Sequence, residues 1–269
     1  MSTRHLEGKT ALVTGSVQGI GLAVAEELAA AGAKIVVHGL ATPEEAKAAC
    51  ASVEEAGAPA SLFLDHDVRD VSAIDAMMAE AESWGPVDVL VNNAGVQRTV
   101  SYEGGTAEIW EQVISVNLSA AYHAMRHALP AMAGRGFGRV INIASVHGLV
   151  ASKEKAPYVA SKFGLVGMSK VAALEYAAIG DASSGGVTVN CICPGWTETA
   201  LIEPQIEARA AALGVSRDAG IADMLSEKQP SQRLSDPSEI GALASWLCHR
   251  HAHNITGTAI PVDGGWTAQ

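Results

Sequence analysis

Residues 10–21 read TALVTGSVQGIG. Thr10 to Thr14 is a short apolar run of the kind that forms a buried strand, and Gly15, Gly19 and Gly21 follow it in a GxxxGxG spacing. Beyond the glycines, Ile20, Val24 and Leu28 recur every four residues, the repeat of one helical face, and Gly32 stands where a helix C-terminal cap belongs. A strand, a Gly-rich turn and a helix in this order suit a nucleotide. Residues without a Cβ let the backbone approach a pyrophosphate, and the helix turns its first N–H groups and positive dipole end toward it. Glycine-rich turns also occur without ligands, so the position of Gly15, Gln18, Gly19, Ile20 and Gly21 between strand and helix carries the reading.

Outward from this unit the alternation continues. Lys34 to His38 reads as a strand, Thr42 and Pro43 open a helix whose first turn carries Glu44 and Glu45, and Ser61 to Asp65 reads as a third strand. A helix from about Asp70 to Trp84 stops at Gly85-Pro86, and Val87 to Val91, Arg139 to Ala144, Val187 to Ile192 and Ala259 to Asp263 supply further strands. No internal repeat of fixed period appears. The pattern predicts one domain over residues 1–269: an α/β, doubly wound, Rossmann-like parallel sheet flanked by helices, with ligands beyond the strand carboxyl ends. DASSGG, from Asp181 to Gly186, reads as a surface loop. Thr197 to Ser231 is longer than an ordinary connection and predicts a small helical lid over substrate.

The 269 residues are 48% hydrophobic, enough for a substantial core, and carry a formal net charge of −11. That charge repels nucleic acid and anionic membranes, so neither is expected as a partner. The opening MSTRHLEGKT lacks an apolar signal core and no apolar run reaches membrane-spanning length, which makes the cytoplasm the default location. Cys50, Cys191, Cys193 and Cys248 show neither a CxxC pair nor zinc-ligand spacing and are expected as reduced, structural thiols; no metal site is expected.

At His38-Gly39-Leu40, roughly 20 residues past the glycines, an acid often takes the ribose hydroxyls of NAD. None is present, and neither Leu40 nor Gln18 is a cation that could neutralise the 2′-phosphate of NADP, so NAD is favoured by default. Asp67 and Val68 after the third strand are candidates for the adenine edge, although an Asp there also serves as a helix cap. Asn92-Asn93-Ala94-Gly95 follows the fourth strand directly, and although as a bare sequence it suits a plain turn equally well, its place beside the expected groove favours Asn93, Ala94 and Gly95 as cofactor contacts.

Tyr158 and Lys162 lie four apart in a helix-compatible segment and project from one face. An ammonium near the phenol is expected to lower its pKa from about 10, allowing Tyr158 to exchange a proton with an alcohol or carbonyl oxygen. Ser145, at a strand end, can hydrogen-bond the same oxygen. Each also has an ordinary reading: an amphipathic surface for the YxxxK pair, a helix cap for Ser145, and a polar helix position for Asn117.

In combination, TGSVQGIG, NNAG, Asn117, Ser145, YVASK and Pro194-Gly195 resemble the short-chain dehydrogenase/reductase family, in that family's order and across nearly the whole chain. The resemblance implies an Asn117, Ser145, Tyr158 and Lys162 tetrad with Tyr158 as acid/base. It further implies that Lys162 holds the nicotinamide ribose, Asn117 positions a relay water, and Thr197 contacts the nicotinamide end. Within the family, NNAGVQ, INIASVHGLVAS, ICPGW, SEKQPS and VDGGWT resemble the bacterial D-3-hydroxybutyrate dehydrogenases. That implies oxidation of (R)-3-hydroxybutyrate to acetoacetate, with Gln97, His147, Lys155 and Gln205 holding the carboxylate, Trp196 and Trp266 walling the pocket, and a homotetrameric assembly. His147 and Lys155 bracket Ser145 and Tyr158 in sequence and independently suit a small carboxylate, with exposed loop cations as the alternative. A reductase for another carbonyl substrate, such as a 3-oxoacyl thioester or sugar ketone, and a nucleotide sensor without chemistry are the competing readings. Three departures stand out from that group's pattern: Arg98 after Gln97, the DASSGG loop, and HGL in place of an NGF-type strand end.

Overall fold

The computed structural model describes residues 4–181 and 183–268. Strand β1 (Thr10–Val13) leads through the Gly-rich turn to α1 (Gly19–Ala30), then β2 (Lys34–His38), α2 (Pro43–Ala56), β3 (Ser61–Leu64), α3 (Val71–Trp84) and β4 (Val87–Asn92). The second half runs α4 (Ala107–Ile114), α5 (Ala120–Arg135), β5 (Phe137–Ile143), α6 (Ala156–Tyr176), β6 (Gly186–Pro194), α7 (Glu203–Leu213), α8 (Arg217–Lys228), α9 (Pro237–Leu247) and β7 (Ala259–Val262). The expected strands are all present within two residues of their expected bounds. Ala182 of the DASSGG loop, Met1 to Thr3 of the opening segment and the terminal Gln269 lie outside the described residues.

The strands pair in parallel in the order β3-β2-β1-β4-β5-β6-β7. Such a sheet is apolar on both faces, and alternate residues of each strand enter opposite layers. Ala11, Val13, Ile35, Val37, Val89 and Val91 pack with Val24 and Leu28 of α1 and Ile240 and Ala244 of α9. Leu12, Val36, Leu90 and Val140 face the other way, onto Ile74 and Met78 of α3 and Ala124, Ala128 and Met132 of α5. The intermediate Ile20 stays at the mouth of the turn while Val24 and Leu28 of the same stripe are fully buried.

Local chemistry sets the element ends. Thr42 and Glu45 form a reciprocal capping box on α2, and Asp70, Thr106, Ser216 and Asp236 each accept an early backbone N–H of their helix. The α1 helix is different: its N-cap Gln18 makes no side-chain cap and its first turn has no acid. Between α4 and α5 the chain winds as a π-helical turn over Ser115–Ser119, which re-aims Asn117. No helix among the described residues is long and apolar enough to cross a membrane.

The sheet order reverses between β1 and β4, which opens a crevice at their carboxyl ends. From the β6 end the chain leaves on the long excursion and returns at Ser235, where Glu198 N–H donates to Ser235 O at 3.0 Å and Ser235 N–H to Trp196 O at 2.9 Å. Helices α7 and α8 of the excursion pack on each other and are tied by Arg217 to Glu203 at 2.7 Å and by Arg209 to Asp223.

Packing between β5 and α5 leaves no room at Gly138, where an added Cβ would lie 2.5 Å from Met132 Cβ and Sδ. Gly138→Ala is therefore expected to destabilise the fold by about 1–3 kcal/mol, an overpacking cost read as a lowered thermal midpoint. An unchanged midpoint would show that this layer relaxes freely.

Candidate active site

The crevice floor is built from two turns locked together. Thr14 Oγ1 accepts from the N–H groups of Asn93 and Ala94 at 3.0 and 3.1 Å, and Asn93 Nδ2 donates to Thr14 O and Gly15 O at 3.0 and 2.8 Å. The NNAG segment thus fastens the Gly-rich turn. Gly15 and Gly19 adopt φ of +65° and +59°, a left-handed backbone that favours glycine, and an added Cβ on Gly21 would strike Gly15 O and Asn93 Nδ2. A groove follows, lined by Gly15, Gln18, Gly19, Gly21, Leu40 and Ala94.

Asn117 closes the far side of NNAG. Its Oδ1 accepts from Val96 N–H at 2.8 Å and its Nδ2 donates to Val96 O at 2.9 Å and Ser161 Oγ at 3.2 Å. It is a clamp between the β4 loop and α6, not a solvated helix residue. Val68 lines a small hollow beneath this clamp together with Thr14, Asn92 and Lys162. Asp67 lines neither hollow: its carboxylate accepts from Arg69 Nε at 2.9 and 3.0 Å, which also holds its pKa below the usual carboxylate value.

Ser145, Tyr158 and Lys162 converge on one pocket, from the β5 end and from adjacent turns of α6. Ser145 also caps the short turn Val146–Gly148, accepting from His147 N–H at 3.2 Å, so its structural and chemical readings coexist. Lys162 Nζ donates to Ile143 O at 2.8 Å and stands 5.7 Å from the centre of the Tyr158 ring. The expected lowering of the phenol pKa is not what this geometry produces. Burial pushes Tyr158 upward, against a hydrogen bond to Ser145, and burial draws Lys162 down to about 8.

His147, Lys155, Trp196 and Trp266 complete the pocket with Gln97, Pro194, Gly195 and Thr197. The ring centres of His147 and Trp266 lie 5.6 Å apart, those of Trp196 and Trp266 5.8 Å, and Lys155 Nζ sits 5.2 Å over the Trp196 ring. Lys155 is only 8% exposed, which removes the exposed-loop reading. Its loop is pinned by Val100 N–H donating to Glu154 O at 2.7 Å, with Glu154 held at φ +61°. Burial, then repulsion from Lys228, lowers Lys155 to about 8; burial, then Lys155 and Lys228, lowers His147 to about 3. Gln205 lies outside the inner pocket, in a hollow that continues it, and reaches the site by accepting from Lys155 Nζ at 2.9 Å. Arg98 lines the rim of that outer hollow, its Nη1 donating to Gln97 O at 3.2 Å.

Three buried polar atoms of the pocket have no hydrogen-bond partner: His147 Nε2, Trp196 Nε1 and Thr197 Oγ1. Buried polar atoms without partners are costly, and at the wall of an open pocket these three are candidates to meet ligand atoms. Sequence reasoning missed Thr199, Leu201 and Ile202, which line the pocket from the start of the excursion, and Gln229, whose Oε1 accepts from Trp196 N–H at 3.1 Å. Their signal was only nearness to PGW and SEKQPS. Among the described residues, no three His, Cys, Asp or Glu side chains are placed to hold a metal ion.

The uncapped start of α1, the glycine cradle and the orphaned Thr197 hydroxyl fit a nicotinamide dinucleotide running from the groove into the pocket.

Comparison with known proteins agrees. The family model described as short chain dehydrogenase matches residues 9–210. D-beta-hydroxybutyrate dehydrogenase of Cupriavidus necator is 45% identical over 98% of this chain and 100% of its own, and that of Rhizobium meliloti is 44% identical over 97% and 99%. Among solved structures, a gluconate 5-dehydrogenase from Burkholderia cenocepacia in complex with NADP and tartrate superposes with a TM-score of 0.87, at 30% identity over 100% of this chain and 98% of that one. The chain belongs to the short-chain dehydrogenase family and is an oxidoreductase with a nicotinamide cofactor.

Proposed function

We propose that this enzyme uses NAD to interconvert (R)-3-hydroxybutyrate and acetoacetate. The observation that carries the substrate is the buried ammonium of Lys155 beside the unpartnered His147 Nε2, in an acidic chain whose pocket is otherwise walled by Trp196 and Trp266. A carboxylate satisfies both groups at once, because a charge-assisted hydrogen bond in a desolvated site offsets the cost of burying the cation. The 45% identity to a D-beta-hydroxybutyrate dehydrogenase over the full length supports the same substrate.

In this reading the substrate oxygen lies against Ser145 and Tyr158, and its carboxylate against His147 and Lys155, with Gln97 beside them and Gln205 acting through Lys155. Bound cofactor supplies the hydride acceptor or donor for C3. Tyr158, held as the neutral phenol by burial, donates its proton to the carbonyl oxygen in reduction and, once ionised to the phenolate, takes the hydroxyl proton in oxidation, while Ser145 holds the oxygen through the change from alcohol to carbonyl. Lys162, anchored on Ile143 O, keeps positive charge below the phenol and fits the ribose hydroxyls; Asn117 keeps the β4 loop in register. Helices α7 and α8 act as the lid that excludes water.

NAD is preferred because no Arg or Lys stands at Gln18, Gly39 or Leu40 of the groove to receive a 2′-phosphate. The reading includes a small carboxylate-bearing substrate, a cytoplasmic location, one catalytic domain with its lid within residues 197–231, and a homotetramer. For the last, α6 leaves Phe163, Val171 and Leu174 exposed along one stripe, with Leu174 81% exposed, a face suited to a second copy.

Three experiments test this. A matrix of both 3-hydroxybutyrate enantiomers against NAD and NADP should show turnover confined to the R enantiomer with NAD; activity only with uncharged alcohols, or tight cofactor binding with no turnover, rejects the substrate. Lys155→Ala should lower kcat/KM for the carboxylate substrate by about tenfold to hundredfold, the worth of a hydrogen bond to a charged group, and affect an uncharged secondary alcohol far less. Finally, Lys155 binds a carboxylate while protonated. The ratio of kcat/KM for 3-hydroxybutyrate to that for an uncharged alcohol should therefore hold at neutral pH and fall as pH rises through about 8, because the Tyr158 and Lys162 contributions cancel in the ratio. With His147 held neutral down to about 3, the ratio should show no step at 6.5.

A further inference from the structure

The missing strand-two acid has a replacement that works from the other side of the turn. His38 ends β2 and is 2% exposed, so its ring points into the protein and the first exposed side chain on that rim is Leu40, at 63%. Gly15 N–H donates to His38 Nδ1 at 3.2 Å, and His38 Nε2 faces His66 O at 2.8 Å. A backbone N–H can only donate and a carbonyl can only accept, so the two contacts together require one form of the ring: Nδ1 bare, Nε2 carrying its hydrogen, no net charge. Burial favours that neutral form.

The main chain reinforces the arrangement. Ser16 N–H donates to His38 O at 2.8 Å, His38 N–H to Ser16 Oγ at 3.1 Å, and Ser16 Oγ to Val13 O at 2.7 Å. Gly15 is the residue that this ring can control. It takes φ +65°, it approaches Ala94 so closely that a Cβ would lie 2.9 Å from Ala94 Cα, and its carbonyl is already held by Asn93 Nδ2. Its N–H is the remaining handle, and His38 holds it.

We infer that His38 is a positioning residue for the dinucleotide: by accepting the Gly15 N–H it sets the Gly-rich turn from below, in place of an acid that would grip the adenosine ribose directly. The role rests on the dinucleotide reading of the groove and is independent of the organic substrate. It explains why the strand can end in His-Gly-Leu without an acid: order in the turn, not a contact to the ribose, carries that end of the cofactor.

Two conservative variants separate the ring's nitrogens. His38→Asn places an oxygen near the position of Nδ1 and can still accept from Gly15, whereas His38→Gln reaches the Nε2 position, bonds His66 O and leaves Gly15 N–H without an acceptor. NADH and NADPH dissociation constants, KM for NAD, kcat at saturating NAD and the thermal midpoint are measured for both variants and the parent. His38→Gln should raise the NADH dissociation constant and KM for NAD by about tenfold, with kcat at saturation within about twofold, while His38→Asn stays within about threefold of the parent. Equal affinity in the Gln variant, or the reverse order of the two, overturns the inference. Losses in both variants that merely track their thermal midpoints also overturn it, since that is a packing role. Should the parent bind neither NADH nor NADPH, the dinucleotide reading itself fails, a result distinct from a parent that binds and a Gln variant that binds equally well.

Discussion

Thr14 Oγ1 accepts two backbone N–H groups from the end of β4, and Asn93 returns two hydrogen bonds to the end of β1. This four-bond seam lies where the strand order reverses, the one place in an open parallel sheet where neighbouring loops leave in opposite directions and a crevice must form. Buried polar backbone at such a gap needs partners, and here the two strands supply one another's. Everything that approaches a cofactor is referenced to that seam: Gly15 through Asn93, Val96 through Asn117, and through Asn117 also Ser161 on the helix that carries Tyr158 and Lys162. A displacement of one loop would be felt on both sides of the site, because the bonds link the β1 turn, the β4 loop and α6 in series.

The site's electrostatics follow from putting three cationic or potentially cationic groups in a poorly hydrated space. Lys155 and Lys162 are both drawn down by burial, and His147 is held neutral. The two lysines are engaged differently. Lys162 gives one of its three hydrogen bonds to a backbone carbonyl, which fixes its place under the phenol, while Lys155 rests on a Trp face and a glutamine oxygen, contacts weaker than a carboxylate would offer. That difference separates a group that shapes the reacting centre from one available to select a charged ligand.

The fold was legible because its signals are local and repeated. Each strand is an apolar run, each crossover helix carries a cap or a breaker, and a parallel sheet covered on both faces demands continuous apolar strands such as ALV and IVV. The tetrad was legible only as a set, since Ser145 does cap a turn and the YxxxK spacing alone fits many helices. What the sequence concealed depends on three-dimensional burial. The π-helical turn that re-aims Asn117 has no residue signature, and the raised Tyr158 pKa reflects burial outweighing the hydrogen bond to Ser145.

The residues proposed to hold the substrate show the same division. Gln97, His147 and Lys155 come from loops after β4 and β5, and their meeting could be inferred from resemblance, but the reason Lys155 points inward is a backbone bridge to Val100 and a left-handed Glu154. Gln205 arrives from the excursion by way of Lys155, so its position depends on how α7 packs on α8 rather than on the sheet. The sheet therefore fixes the reacting centre, and the excursion fixes what may reach it. Within that division the chemistry of alcohol and ketone is referred to the sheet, while the proposed selection of a short acid rests on contacts made by an excursion in which only a few of the described residues, such as Ile202, Ile206 and Leu225, are buried.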